Sequence, residues 1–152
     1  MFSQYIPTTK PQEMPTRATS GSAGYDLRYF DDTFDQDEKI LAGSFIIERG
    51  GIRIVPTNLK VQLPKGTFGM ICPRSGLAAK HGITVLNSPG IVDFDYEGHI
   101  RVILINHGQD PVMINHGDRI AQMVIVPYSH LEPSGTFLGF RGDGGFGSTG
   151  IQ

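Results

Sequence analysis

The sequence predicts an all-β protein, a sandwich or barrel of short strands with one short helix. Twenty glycines and ten prolines interrupt the chain at short intervals, and both residue types mark turns. Between them lie short runs rich in apolar and β-branched residues, which are typical of strands. These runs are GIRIVP, LKVQLP, FGMICP, GITVL, HIRVILIN, PVMIN and RIAQMVIVP. The stretch SGLAAKHG, residues 75–82, has the Ser start, Leu-Ala-Ala-Lys body and Gly end of a short capped helix.

Size and composition indicate a single domain, residues 1–152. Hydrophobic residues make up 39% and charged residues 18%, which is enough apolar content for a core and too little charge for a disordered chain. The net charge is −2, so no overall basic field favours nucleic acid. Cys72 is the single cysteine, and its apolar neighbours predict burial. The start of the chain does not resemble a signal peptide and no apolar run reaches transmembrane length, so we expect a cytoplasmic protein without membrane contact.

Residues 101–106, RVILIN, are apolar on both faces of a predicted strand. Val102 and Leu104 point to one side, and Ile103 and Ile105 point to the other. A strand that is apolar on both faces needs a cover on each side. In a chain this short, we expect another subunit to provide one of these covers.

The tetrapeptide INHG occurs twice, at residues 105–108 and 114–117. Two such histidines can suggest a metal site, but no cysteine accompanies them. Asn and Gly between strand runs are ordinary turn residues, so we favour two turns. The acidic run DDTFDQDEK, residues 31–39, is interpreted as a solvated loop.

Several polar residues have both a structural and a ligand-binding interpretation. In PRSG, residues 73–76, Arg74 adds a guanidinium group and Ser75 a hydroxyl to a helix start that favours anions. A capped helix with a surface arginine explains the same motif equally well. Gln122 shares a strand face with apolar residues and needs a partner, either within the protein or on a ligand. Asn87 is a turn residue by default, although its carboxamide can also read a nucleobase edge.

Three aspartates are candidates for metal binding or acid/base catalysis. Asp26 stands among apolar neighbours in AGYDL, where backbone N–H groups usually satisfy a carboxylate; a magnesium ion that keeps its waters is the alternative. Asp93 and Asp95 lie two residues apart in PGIVDFDYEG, directly before Tyr96. In an extended strand they would share a face. An acid/base pair, a metal site and a polar turn all fit this motif.

From about Tyr128 the strand pattern stops, and the chain ends in RGDGGFGSTG. A glycine-rich end is usually a disordered terminus. This one also contains an arginine, an aromatic ring and two hydroxyls, namely Arg141, Phe146, Ser148 and Thr149. Such a segment also suits an arm that closes over a phosphate-bearing ligand. We therefore divide the domain into a β core, residues 1–127, and a C-terminal arm, residues 128–152.

Five segments in a fixed order make the pattern specific: AGYDL, PRSGLAAKHGI, NSPGIVDFDYEG, GDRIAQM and RGDGGFGSTG. The series closely resembles the trimeric deoxyuridine triphosphatases (dUTPases), and it extends from Ala23 to Gly150. The resemblance implies a jelly-roll-like β-clip barrel and a homotrimer whose active sites are shared between subunits. It also implies hydrolysis of dUTP to dUMP and pyrophosphate with Mg²⁺ on the triphosphate. Such an activity limits uracil incorporation into DNA and supplies dUMP for thymidylate synthesis.

The resemblance assigns roles to individual residues. Asp93 would orient and deprotonate the attacking water, and Asp26 would contact the magnesium ion through water. Contacts with dUTP are assigned to Arg74, Ser75, Gly76, Asn87, Gly90, Tyr96, Gln122, Arg141, Phe146, Gly147, Ser148 and Thr149. Among these, Tyr96 would pack on the deoxyribose and exclude a 2′-hydroxyl. We expect Asp95 to accept hydrogen bonds that fix the turn and orient Tyr96.

Two features depart from the family pattern. Glu97 follows the tyrosine, where a basic or neutral residue is common, and the stretch between the first two segments is long. The related dCTP deaminases share the fold and an RSGLA segment, but they lack the GGFGSTG end and use a glutamate in the strand where this chain has RVILIN. A non-catalytic nucleotide-sensing or protein-binding module is a third interpretation, against which the presence of Asp93 argues.

Overall fold

The computed structural model describes residues 14–30 and 43–131 of the chain. Within these ranges the protein forms nine strands and one helix. In chain order, the elements are β1 Tyr25–Arg28, β2 Ser44–Ile47, β3 Ile52–Pro56, β4 Thr67–Cys72, α1 Ser75–His81, β5 Ile83–Val85, β6 Gly90–Val92, β7 Arg101–Asn106, β8 Val112–Asn115 and β9 Arg119–Pro127. The predicted all-β class with one short helix is confirmed.

The strands form three antiparallel sheets. The largest has the order β1-β9-β4-β6, a second pairs β2 with β8, and a third has the order β3-β7-β5. Most neighbouring strands in these sheets are far apart in sequence, so each sheet combines strands from both halves of the chain. Among the described residues, no helix is long and apolar enough to span a membrane.

The core lies between the sheets and is built from alternating strand positions. In β7, Val102 and Leu104 are fully buried, and they face Val55 of β3 and Val85 of β5 across the register. Asn106, at the end of the same strand, is also fully buried. A buried carboxamide must be hydrogen-bonded, and that of Asn106 donates to two backbone carbonyls and accepts from a third residue's N–H.

Each INHG segment ends a strand and continues into the connection that follows it, in agreement with the predicted turns. Asn106 of the first donates to the Ile47 and Asp110 carbonyls at 2.9 and 2.8 Å, and so holds the loop between β7 and β8. In the second, the Asp118 carboxylate accepts from the Asn115 backbone N–H at 2.8 Å, which closes the turn between β8 and β9. His116 packs edge-on against the ring of Phe30.

The outer side of the β3-β7-β5 sheet is apolar. Ile52 and Ile54 of β3 pair with Ile105 and Ile103 of β7, so the four side chains share one face. Ile52 and Ile54 are 55% and 61% exposed, and the two β7 isoleucines are half-buried. We call this surface the outer isoleucine face. The described part of the chain does not cover it, in agreement with the two-faced pattern of RVILIN.

Helix α1 ends as predicted but begins differently. Gly82 follows it with φ 69°, a left-handed conformation that favours glycine, and its N–H donates to the Ala78 carbonyl at 3.0 Å. Arg74, not Ser75, holds the N-cap position, and no side chain caps the helix start. The capping role expected for Ser75 is therefore wrong, because Ser75 is already the first helical residue. Cys72, expected to be buried, is partly exposed at the end of β4.

Candidate active site

A cavity of about 260 Å³ opens beside β6 and the turn that follows it. We call it the hairpin cavity. Its base is made of buried apolar side chains, and its rim carries polar ones. The base residues are Ile71, Val85, Val92, Ile100 and Val102, and the rim residues are Asn87, Asp93, Tyr96 and Arg101. An apolar base with a few polar groups at the rim suits a small planar ligand.

Asp93 and Asp95 lie in a turn and not in a strand. Strand β6 ends at Val92, and the Tyr96 N–H donates to the Asp93 carbonyl at 3.2 Å. The strand rule that would place both carboxylates on one face therefore does not apply. Asp93 lines the hairpin cavity and Asp95 does not, although both are exposed. Within the described residues, the Asp95 side chain accepts no hydrogen bond, so the expected role in fixing the turn is not found.

The Tyr96 side chain is held by a hydrogen bond from its phenol group and by packing on Gly98. Its hydroxyl donates to the His99 carbonyl at 3.2 Å, and its ring lies over Gly98. The side chain is 47% exposed and forms part of the cavity rim. The ring therefore has a defined position although one side of it is open.

Asn87 and Gly90 both line the hairpin cavity. Gly90 pairs with Ile71 across β4 and β6. A Cβ at Gly90 would lie 3.3 Å from the Ile71 Cβ and 3.5 Å from the Asn87 Nδ2. A Cβ there would be tight against Ile71 and in ordinary contact with the carboxamide of Asn87, which lines the cavity.

A second group of polar residues surrounds Asp26. One carboxylate oxygen accepts from Arg74 Nε at 3.2 Å, and the other accepts from Arg119 Nη1 at 3.3 Å. The Asp26 side chain is only 12% exposed, so both pairs are partly desolvated. Two guanidinium groups on one carboxylate leave a surplus of one positive charge, which favours an anionic ligand. We call this group the arginine cluster.

The arginine cluster differs from the sequence expectation in two ways. Asp26 was expected to accept from backbone N–H groups or to lie near a hydrated metal, and its observed partners are two arginine side chains. Arg119 was not identified from the sequence at all. Its position becomes apparent only from the pairing of β1 with β9, which brings Arg119 opposite Arg28, next to Asp26.

Gln122 has the partner that its apolar surroundings predict. Its Nε2 donates to the Pro73 carbonyl at 3.0 Å, directly before Arg74. The sheet register places Gln122 between Asp26 of β1 and Cys72 of β4. Ser75 and Gly76 follow at the exposed start of α1, and a Cβ at Gly76 would meet nothing within 4 Å. The structure therefore brings five of the predicted residues to one end of the sheet: Asp26, Arg74, Ser75, Gly76 and Gln122.

The Gln122 side chain packs directly on Gly24. A Cβ at Gly24 would collide with Gln122 Oε1 and lie 3.2 Å from its Cδ. We expect Gly24→Ala to displace the carboxamide and to lower kcat/KM by about 10-fold, the value of one hydrogen bond to a charged group. Steady-state kinetics measure this loss. In a Gln122→Ala background, Gly24→Ala should lower kcat/KM only slightly, because the colliding side chain is absent. Equal losses of kcat/KM in both backgrounds would refute the contact.

The hairpin cavity and the residues around Asp26 are two separate groups in the single chain. Directly paired residues share a face, so Asp26, Gln122 and Cys72 point the same way. Ile71, one residue before Cys72, points the other way and lines the hairpin cavity. The lining of that cavity includes none of the five residues around the sheet end. The predicted arm residues Arg141, Phe146, Gly147, Ser148 and Thr149 lie outside the described residues.

Comparisons with known proteins identify the family of this chain. The family model for dUTPase matches residues 10–150. A deoxyuridine 5'-triphosphate nucleotidohydrolase of Neorickettsia sennetsu is 44% identical over 150 residues, covering 97% of this chain and 94% of the relative. The corresponding protein of Anaeromyxobacter sp. (strain Fw109-5) is 44% identical over 143 residues, covering 92% of this chain and 89% of the relative.

Solved structures show the same fold. The dUTPase of Staphylococcus bacteriophage 80alpha, determined with dUPNHPP, has a TM-score of 0.78 at 23% identity and covers 99% of this chain and 100% of its own. The dUTPase of Streptococcus mutans has a TM-score of 0.70 at 28% identity and covers 86% and 98%. The expected jelly-roll-like fold is thereby confirmed. The family resemblance read from the five segments is confirmed as well: the chain belongs to the dUTPase family.

Proposed function

We propose that the protein hydrolyses dUTP to dUMP and pyrophosphate, with Asp93 as the base that activates the attacking water. The observation that carries the proposal is the position of the Asp93 carboxylate at the rim of an apolar cavity, beside Asn87 and Tyr96. Family membership and the names of the relatives support the substrate.

The hairpin cavity would hold the nucleoside. Its apolar base suits the faces of a uracil ring, and the Asn87 carboxamide offers both a donor and an acceptor to the edge of the base. Gly90 lines the cavity beside that carboxamide. Tyr96 would lie against the deoxyribose, where its ring would leave no space for a 2′-hydroxyl.

The chemical step would be a displacement at the α-phosphorus. Asp93 would accept one proton from a water, whose oxygen then bonds to the α-phosphorus. The bond from the α-phosphorus to the bridging oxygen breaks, and pyrophosphate leaves with the electron pair. Asp93 is exposed in a turn, with no partner among the described side chains, so its carboxylate is free to accept this proton.

The arginine cluster would hold the phosphates. Arg74 and the exposed first residues of α1, Ser75 and Gly76, offer a charged fork, a hydroxyl and backbone N–H groups. Gln122 keeps one amide hydrogen beyond the one it donates to Pro73, and that hydrogen is available to a phosphate oxygen. Asp26 would fix the orientation of the Arg74 guanidinium group.

The described residues fit a magnesium ion that the triphosphate carries. No group of three His, Cys, Asp or Glu side chains that could hold a metal occurs among them, and Mg²⁺ commonly keeps several waters when phosphates bind it. The two arginine bonds leave further lone pairs on the Asp26 carboxylate, which suffice for a contact through water. The ion would neutralise the triphosphate and orient it for attack. A structural Mg(II) ion occurs in the dUTPase of phage phi11 of S. aureus.

Sharing between subunits would complete the site. One chain presents its two groups separately, and Ile103 of the cavity lining also belongs to the outer isoleucine face. A homotrimer packed on the outer isoleucine face would join the hairpin cavity of one subunit to the arginine cluster of another. The C-terminal arm would then close the site, with Phe146 on uracil and Arg141, Gly147, Ser148 and Thr149 at the phosphates.

Pyrophosphate release with dUTP, dCTP and UTP, measured together with ammonia, tests the reaction. We expect rapid pyrophosphate release from dUTP in the presence of Mg²⁺, much slower release from UTP and dCTP, and no ammonia. Ammonia from dCTP would indicate a deaminase, and no product from any of the three would indicate a non-catalytic nucleotide-binding module. In a cytoplasmic setting, the reaction would limit uracil in DNA and supply dUMP for thymidylate synthesis.

A further inference from the structure

Gly98 lies directly beneath the ring of Tyr96. A Cβ at this position would lie 2.5 Å from the Tyr96 Cζ and 3.1 Å from its Cε2, which is far inside van der Waals contact. The Tyr96 hydroxyl donates to the His99 carbonyl at 3.2 Å, on the far side of the same glycine. The ring is therefore folded back over the backbone of residues 98–99, and Tyr96 also lines the hairpin cavity.

The backbone itself does not require glycine at position 98. Its φ lies outside the left-handed region, unlike that of Gly82, Gly66 or Gly117. An alanine would thus be accommodated by the main chain without strain. Apart from its chain neighbours, the three nearest atoms that a Cβ would meet here all belong to the Tyr96 side chain. Glycine is required at position 98 because of the Tyr96 ring and not because of the backbone conformation.

We propose that Gly98 is a specificity-positioning residue, which sets the distance between the Tyr96 ring and the sugar and thereby the preference for deoxyribose over ribose. The inference rests on the proposed function, in which Tyr96 lies against the sugar. A methyl group at position 98 would lift the ring and separate its hydroxyl from the His99 carbonyl. The lifted ring would no longer pack on the deoxyribose, so kcat/KM would fall more for dUTP than for UTP.

The test is the ratio of kcat/KM for dUTP to kcat/KM for UTP in four proteins: wild type, Gly98→Ala, Tyr96→Ala and the double variant. We expect Gly98→Ala to narrow this ratio by about 10-fold, the discrimination that a one-carbon change in a binding site produces. In the Tyr96→Ala background, Gly98→Ala should leave the ratio unchanged. Gly21→Ala is the matched control, because a Cβ at Gly21 would meet nothing within 4 Å; it should keep the wild-type ratio.

The outcomes separate the inference from the proposed function. If Tyr96→Ala hydrolyses dUTP with an unchanged ratio, the sugar contact of Tyr96 is wrong and the inference falls with it. If Tyr96→Ala narrows the ratio and Gly98→Ala does not, the inference alone is overturned. If Gly98→Ala lowers the melting temperature, Tyr96→Ala must restore it in the double variant. Failure to restore it would show that the collision lies elsewhere and would overturn the inference.

Discussion

Asn in place of Asp93 is expected to lower the single-turnover rate of dUTP hydrolysis by roughly 10²–10⁴-fold, the usual contribution of a positioned general base. This loss corresponds to about 3–5 kcal/mol in the activation barrier. Asn keeps the size of the side chain but cannot accept the proton of the attacking water. The side chain is exposed at the rim of the hairpin cavity, so the fold and the affinity for dUTP with Mg²⁺ should be retained. Rapid-quench hydrolysis and calorimetric titration measure the two quantities.

The matched control is Asp95→Asn in the same turn. Asp95 is equally exposed, does not line the cavity, and accepts no hydrogen bond within the described residues. We therefore expect a rate close to that of the wild type and a stability change within about 0.5 kcal/mol. A folded Asp95→Asn protein without activity, beside a fully active Asp93→Asn protein, would reverse the assignment of the base.

Local patterns predicted those parts of the fold that depend on local chemistry. The helix end at Gly82 follows from the left-handed conformation that glycine permits, and the INHG turns follow from the turn preferences of Asn and Gly. The need of Gln122 for a partner follows from a polar group on an apolar strand. Each of these inferences requires only a few neighbouring residues.

The remaining features depend on contacts that are distant in sequence or on side-chain packing. Arg119 reaches Asp26 across 93 positions, and only the pairing of β1 with β9 brings them together. Asp93 and Asp95 would share a face only in an extended strand, but β6 ends at Val92 and both lie in the turn that follows. The contacts of Gly24 with Gln122 and of Gly98 with Tyr96 depend on the direction of a neighbouring side chain, which sequence spacing does not specify.

Asp in place of Ile54 is expected to convert the proposed homotrimer into monomers and to reduce dUTP hydrolysis by roughly 10²-fold or more, since a site assembled from several chains loses the orientation of its groups. Ile54 is the most exposed residue of the outer isoleucine face, at 61% in the single chain. Burying an isoleucine stabilises an interface by about 1.5–3 kcal/mol, and a carboxylate there would have to be desolvated instead. Light scattering at micromolar concentration measures the assembly state.

Ile54→Val is the control for this change. Valine keeps the face apolar and differs from isoleucine by one methylene, so the trimer and the rate should both be retained. Since Ile54 contributes little to the core of its own chain, circular dichroism of Ile54→Asp should still show a folded β protein. Mixing Ile54→Asp with an excess of Asp93→Asn protein adds a further check, because an aspartate on one side alone would still oppose association and no activity should return. A stable trimer with normal turnover in Ile54→Asp would mean that the subunits meet on another surface, and that the isoleucine face has a different cover.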